Sequence, residues 1–335
     1  NAIGGRSDPT PFATLFTGMI LANLFYWCTN QYVIQRTLAA RSLAEGQKGV
    51  LLSGFFKVLV PLLMMIPGVI AYHLYGPELH PIDLAYPQLV RDVLPVYATG
   101  FFLAVLLGAV LSSFNSLINS AATLFCIDVY QPWVGKPVTD EALLRTAKRV
   151  GLTITVFSLI VAPLLQFAPD GLWQLIRIFT GFYNIPMIAI VIVGLFTQRV
   201  PASAAKLVIV FHIVAYGLFQ FLFKELLPIH FLHLYAILFV IEVVMMLGMG
   251  LWRPRLSPTP LPLKAMVDLT PWAYGKPCAV TLLSCVIALY IIFSPMGLVA
   301  GGSVYFGDIL LSLAALNALL WLWWYRRLHR EPEAN

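Results

Sequence analysis

About nine long apolar runs, near 12–28, 49–74, 98–127, 149–168, 172–197, 204–223, 230–252, 278–295 and 305–325, constrain this chain more than any other feature. A helix needs about 20 such residues to cross a bilayer. The composition agrees, since 60% of the 335 residues are hydrophobic and only 11% are charged. A soluble domain carries about a quarter charged residues, so the solvent for most of this chain must be lipid. The expected fold class is all-α, a polytopic membrane protein in the plasma membrane with about nine spans.

The net charge of +6 does not mark a nucleic-acid binder, because the basic residues sit in short gaps between apolar runs and form no single patch. They alternate instead. Arg36, Arg41 and Lys48 fall in one gap, Lys136, Arg145, Lys148 and Arg149 in another, then Arg199 and Lys206. Arg253, Arg255, Lys264 and Lys276 follow, and Arg326, Arg327 and Arg330 close the chain. The intervening gaps hold only Arg91 and Lys224. The positive-inside rule then puts residue 1 outside and the C-terminus in the cytoplasm. Cys28, Cys126, Cys278 and Cys285 lie in or beside apolar runs without metal-ligand spacing and are expected to be buried small hydrophobes.

The 76–97 segment, expected outside, holds Pro77, Pro81, Pro87 and Pro95. It reads equally as a lid over a solute path or as an ordinary surface loop. The first residues, Asn-Ala-Ile-Gly-Gly, carry neither Met nor a charged leader, so the chain is expected to be the inside of a longer protein. No GxxxxGK[ST] or strand-linked GxGxxG occurs, which argues against an ATP-driven pump, and no nucleophile–base set or metal cluster suggests an enzyme. The histidines are read as scattered near span ends.

Polar side chains inside the apolar runs are the candidates for chemistry. Asn23, Tyr26 and Asn30 are spaced to share one helix face, with Trp27 beside them. Such groups at membrane depth face protein or a water-filled cavity. Asn23 either binds a polar solute over which Tyr26 or Trp27 stacks, or makes an interhelical hydrogen bond. Lys57 lies nine residues beyond Lys48 in its run, at a depth on the order of 12 Å. An intramembrane Lys is a functional candidate, although its long stem can also snorkel. The stretch Gly108-Ala-Val-Leu-Ser-Ser-Phe-Asn-Ser116 presents adjacent hydroxyls, which suit a hard monovalent cation or bond their own helix. Arg177 precedes Phe179-Thr180-Gly181 and either snorkels outward or meets an anion or polyol oxygen. Asn184 and Pro186 should weaken their helix locally. Glu242, near the middle of the seventh run, must be protonated or paired, and its own run offers no polar neighbour at that depth.

The block Asn23-Leu-Phe-Tyr-Trp-Cys-Thr-Asn-Gln31, continued by Gln35-Arg-Thr-Leu-Ala-Ala-Arg-Ser42 and Gly46-Gln-Lys-Gly49, resembles the sodium/solute symporter family, most closely its sodium/sugar cotransporters. Ala109-Val-Leu-Ser-Ser113 and Asn119-Ser-Ala-Ala-Thr-Leu-Phe-Cys-Ile-Asp-Val-Tyr130 resemble the sodium-site helix of that family. The likeness covers about residues 10–200, with only hydropathy matching beyond. It implies a leucine-transporter-like inverted-repeat fold. Residues 1–200 would be the second repeat, beginning with a discontinuous helix, and 201–335 would be peripheral spans with a cytoplasmic tail. It further implies that Asn23 and Lys57 contact a sugar, that Tyr26 is the inner-gate stacker, and that Ala109, through its carbonyl, Ser112 and Ser113 bind Na+. Thr180, in the Thr-Gly pair, joins Trp27 and Arg177 as a substrate-site candidate. The sugar cotransporters carry Gln where Arg177 stands, so the departure points toward an acidic sugar or another anionic solute.

The expected function is sodium-coupled symport of a small polar solute, a sugar or sugar acid. The alternatives are sodium- or proton-coupled transport of an organic anion or amino acid, and a non-transporting membrane sensor on the same fold. Because the first repeat of the family is missing from this stretch of sequence, the isolated chain is expected not to transport.

Overall fold

The computed structural model describes residues 11–76, 82–135, 138–167, 172–223, 226, 229–255, 267–293, 297 and 305–330. Pro77, His80, Pro81, Lys136, Lys224 and Lys264, used above, lie outside them. The helices are α1 (Gly18–Cys28), α2 (Gln31–Leu38), α3 (Leu43–Tyr75), α4 (Ala85–Val93), α5 (Val96–Leu124) and α6 (Gln131–Val134), then α7 (Asp140–Val161), α8 (Leu172–Phe196), α9 (Ala202–Leu218), α10 (Phe231–Trp252), α11 (Gly275–Ile292) and α12 (Phe306–Arg330). Among the described residues eight helical segments are long and apolar enough to cross a membrane, and α1 is a shorter apolar helix. The chain is a multi-pass α-helical membrane protein.

The first apolar run differs from the others. It forms a 3-10 turn at Phe12–Phe16 and then α1, whose 11 residues span only about 16 Å, short of the roughly 30 Å hydrocarbon core. The chain breaks at Thr29–Asn30 and resumes as α2, where the Val33 and Ile34 amides bond the Asn30 carbonyl at 3.0 and 3.1 Å. By contrast α3 runs unbroken for 33 residues, about 50 Å.

Helix ends follow local chemistry. Thr139 accepts from the Ala142 amide at 3.4 Å, and Asp140 and Glu141 occupy the positive first turn of α7. Between α5 and α6 the ladder shifts to a π-helical turn over Phe125–Tyr130, so one helical span runs Val96–Val134. It stops at Gly135, whose φ of 63° suits only a residue without a Cβ.

Two compact units divide the chain. One comprises residues 24–35 and 65–188. In it α5 packs on α7, where Gly151 leaves just enough room for Ile118. In the described part of the segment after α3, a 3-10 turn at Ile82–Leu84 leads into α4. The Tyr75 hydroxyl donates to Asp92 at 2.7 Å, and Asp83 accepts from the Leu172 amide at 3.2 Å, capping the start of α8. Pro87 fits because it sits in the first turn of α4, where no N–H is required.

The other unit comprises residues 1–23, 36–64 and 189–335. Here α9 packs on α10, and α11 on α12. Val193, Ala204, Val208 and Met246 form a buried cluster. Gly18 at the start of α1 meets the α10 backbone so closely that an added Cβ would stand 2.0 Å from the Leu232 carbonyl oxygen. Beside it, the Thr17 hydroxyl and His233 Nδ1 are hydrogen-bonded at 3.0 Å. Gly18→Ala must push α1 off α10, and overpacking of this kind costs about 1–3 kcal/mol. The expected result is a lower thermal unfolding midpoint for the full-length protein in detergent, and an unchanged midpoint would refute the close approach.

The cysteines are free, as their spacing suggests, but they are not uniformly buried: Cys126 is buried, Cys278 and Cys285 are half-buried, and Cys28 is exposed. Cys28 ends α1 just before the break, where the helix offers it no covering turn.

Candidate functional site

Asn23 lies on α1 five residues before the Cys28 end, exposed, with its amide nitrogen donating to the Met19 carbonyl at 2.8 Å. Tyr26, one turn on, is hydrogen-bonded through its hydroxyl to Tyr32 of α2, so the two phenols tie the helices across the break. Trp27 packs edge-on against Tyr26 with ring centroids 5.4 Å apart. Phe25, on the opposite side of the helix, is buried against Tyr183 of α8 at 5.7 Å. The helix thus buries Phe25 and leaves Asn23 and Trp27 exposed, an amphipathic division that lipid alone would not favour.

Ala109, Ser112 and Ser113 lie along α5 and all three are exposed. Ser116 bonds back to the Ser112 carbonyl at 3.0 Å, and Thr123 to the Asn119 carbonyl at 2.7 Å. Part of this hydroxyl face is therefore absorbed by its own helix. Lys57 is on α3, exposed at its side chain. On α8, Arg177 is half-buried and its carbonyl accepts from the Thr180 hydroxyl at 3.1 Å. One turn further, Asn184 is buried and its Oδ1 has no hydrogen-bond partner among the described residues. Pro186, inside the same helix, cannot donate to the carbonyl four residues earlier. A buried amide oxygen beside a proline is a polar spot in an apolar helix. The sequence pattern pointed to the weakened ladder but not to the orphaned oxygen.

Two features escaped the reading of the sequence. The first is the partner of Glu242, a residue expected to be protonated or paired: it bonds His212 Nδ1, and both side chains are wholly buried. His212 therefore sits in the middle of α9 and not near a span end, which corrects the expectation for the histidines. Its ring stacks on Tyr216 at 5.6 Å, and Tyr216 bonds Tyr235. The second feature is the π-helical turn at Phe125–Tyr130, a geometry frequent at functional sites. Among the described residues no group of three His, Cys, Asp or Glu is placed to hold a metal, so a cation here would need hydroxyl and carbonyl oxygens.

The described residues thus form a polytopic α-helical membrane protein with a short, interrupted apolar helix that carries an amide and stacked aromatics. Residues 6–210 match the model of the sodium:solute symporter family, and the chain belongs to that family. It is 44% identical over 290 residues to an uncharacterized symporter, YidK, of Escherichia coli (strain K12), covering 87% of this chain and 50% of that protein. It is 32% identical over 248 residues to a sodium/glucose cotransporter of Vibrio parahaemolyticus, covering 69% of this chain and 45% of that protein. Against sodium/glucose cotransporter 1 of Ovis aries the identity is 29% over 279 residues, covering 74% and 42%. The chain spans about half the length of these relatives. A match of 290 residues must extend past residue 200, so the likeness is not confined to the first part of the chain as its motifs suggested.

Proposed function

We propose that this chain forms part of a sodium-coupled symporter that moves a small polar solute, a sugar or sugar acid, across the plasma membrane. The observation that supports this best is the interrupted first helix, with Asn23 and Tyr26 within two turns of the Thr29–Asn30 break. Broken helices place polar groups at membrane depth where continuous ones cannot. In this reading Asn23, Lys57, Arg177 and Thr180 contact the solute, Tyr26 with Trp27 closes beneath it, and Ala109, Ser112 and Ser113 hold Na+. Sodium binding favours the outward-open state and the solute favours closure, each through its differential affinity for the two states. Residues 1–200 act as the second repeat and 201–335 as peripheral helices. The C-terminus is cytoplasmic, as the alternation of basic residues supports.

Arg177 favours an acidic sugar over a neutral hexose, because a guanidinium fork pairs with a carboxylate. The test is uptake by the full-length gene product in liposomes, with sodium compared with choline and galactose compared with galacturonate. Sodium-dependent uptake inhibited more strongly by galacturonate is expected, and Arg177→Gln should reverse that preference by about tenfold. Uptake indifferent to sodium would overturn the coupling. Sodium-driven uptake blind to the acid would overturn the role of Arg177 alone. A proton-coupled carrier of organic anions or amino acids, or a non-transporting sensor, is the reading left if sodium and sugars both fail.

A further inference from the structure

We propose that the start of α11 and the end of α12 form a binding site for the headgroup phosphate of an anionic phospholipid. The proposal rests on the packing of one corner of the unit that holds α11 and α12, and not on any solute.

The corner is built from immobilised aromatic rings. The segment before α11 is fixed to the start of α3, with the Leu43 amide donating to the Asp268 carbonyl at 2.9 Å and the Trp272 amide to Gln47 Oε1 at 2.7 Å. It is fixed to α12 as well, since Trp324 Nε1 donates to the Ala273 carbonyl at 2.9 Å. Tyr274 stacks on Trp321 with centroids 6.2 Å apart and planes 19° apart. Trp321 Nε1 in turn donates to the Thr281 hydroxyl at 2.8 Å, and that hydroxyl to Asn317 Oδ1 at 2.8 Å. The N–H groups of Trp321 and Trp324 are thus committed inside the protein. What these rings offer outward is their faces.

Cations rest on those faces. Lys276 Nζ and Arg327 Cζ each lie 5.9 Å from the centre of the Trp324 ring, and Arg327 also lies 5.7 Å from Trp323. Lys48 lies 5.9 Å from the Trp272 ring. The acids nearby are engaged elsewhere. Glu45 pairs with Lys48 at 2.7 Å, and Asp268 accepts from the Thr270 hydroxyl and amide at 2.7 and 2.9 Å. Those two bonds hold the Asp268 carboxyl below its ordinary range. Lys276 and Arg327 have no acidic partner among the described residues, and both are exposed.

Two exposed cations sharing one indole, at the ends of two membrane-crossing helices, sit at the depth where lipid headgroups lie. Contact with a ring face in water is a weak use of a guanidinium and an ammonium. A phosphate gives each a charge-assisted bond while the rings back the glycerol and upper acyl chain. Basic pockets between membrane helices take anionic headgroups on this principle. The two sites differ in place: the solute candidates, Lys57 and Arg177 among them, lie on α1, α3 and α8, whereas this corner is formed by the start of α11 and the end of α12.

The experiment uses the full-length protein in detergent and counts bound lipid by native mass spectrometry during titration with phosphatidylglycerol or phosphatidylcholine. Wild type is expected to prefer phosphatidylglycerol. Each cation near a surface contributes about fivefold, so Lys276→Gln with Arg327→Gln should reduce that preference by about 30-fold and leave phosphatidylcholine unchanged. Lys276→Arg with Arg327→Lys keeps both charges and should keep the preference. If the double neutral variant is not monodisperse, the single variants are read instead, each expected to lose about fivefold. No preference in wild type, or an undiminished preference in the neutral variants, overturns the proposal. Displacement of the lipid by millimolar inorganic phosphate or glycerol 3-phosphate also overturns it, because the site would then be one for free phosphate.

Discussion

Alanine at both Ser112 and Ser113 in the full-length protein is expected to raise the half-saturating sodium concentration for uptake by more than about 100-fold. The two hydroxyls are consecutive on α5 and exposed. A sodium ion wants several oxygens at once. Removing one ligand oxygen costs on the scale of a hydrogen bond to a charged group, about 2 kcal/mol, and that is about 30-fold in affinity. Ser116→Ala supplies the control on the same helix. Its hydroxyl already bonds the Ser112 carbonyl at 3.0 Å, so its loss should leave the sodium response within about threefold. If Ser112→Ala with Ser113→Ala behaves like Ser116→Ala, the hydroxyls serve their own helix and the cation lies elsewhere.

The reach of the sequence can be judged element by element. The apolar runs were legible because crossing hydrocarbon requires length, and length is written directly in the chain. The runs at 230–252 and 278–295 correspond to Phe231–Trp252 and Gly275–Ile292 within a few residues. The shortness of α1 was less visible: the run 12–28 is apolar throughout, and its division depends on backbone geometry at Thr17 and Thr29. The helix α4 was readable in principle. Tyr86, Leu89, Val90 and Val93 follow a helical repeat, but four prolines in the segment directed attention to loop behaviour. The π-helical turns at Phe125–Tyr130 and Phe219–Phe223 had no signal, because one shifted turn leaves apolar periodicity almost unchanged. For the candidate site, motif positions named the residues, but spacing along one helix cannot say what another helix brings to meet them.

The His212–Glu242 pair marks that boundary most clearly, and it carries the other large expected effect. Pairing between helices leaves no trace in local spacing. Depth, however, is encoded: His212 lies near the middle of the run 204–223 and Glu242 near the middle of 230–252, so consecutive antiparallel helices bring them to one level. Both side chains are fully buried, and Glu242 Oε2 has no hydrogen-bond partner among the described residues. Removing one member leaves the other as an uncompensated polar group in an apolar interior, a loss of about 3–5 kcal/mol. Glu242→Leu or His212→Leu should therefore each lower the thermal unfolding midpoint of the full-length protein markedly. The double variant should recover most of the loss, because apolar replacement of both partners also removes the cost of burying the unpaired oxygen. A double-mutant cycle measures that recovery as a coupling energy. Additive single effects would show that the pair is not a unit. A double variant that folds at the wild-type midpoint yet loses sodium-driven uptake would move the pair from structure to mechanism, since a pin between α9 and α10 that only stabilises packing has no reason to touch the transport cycle.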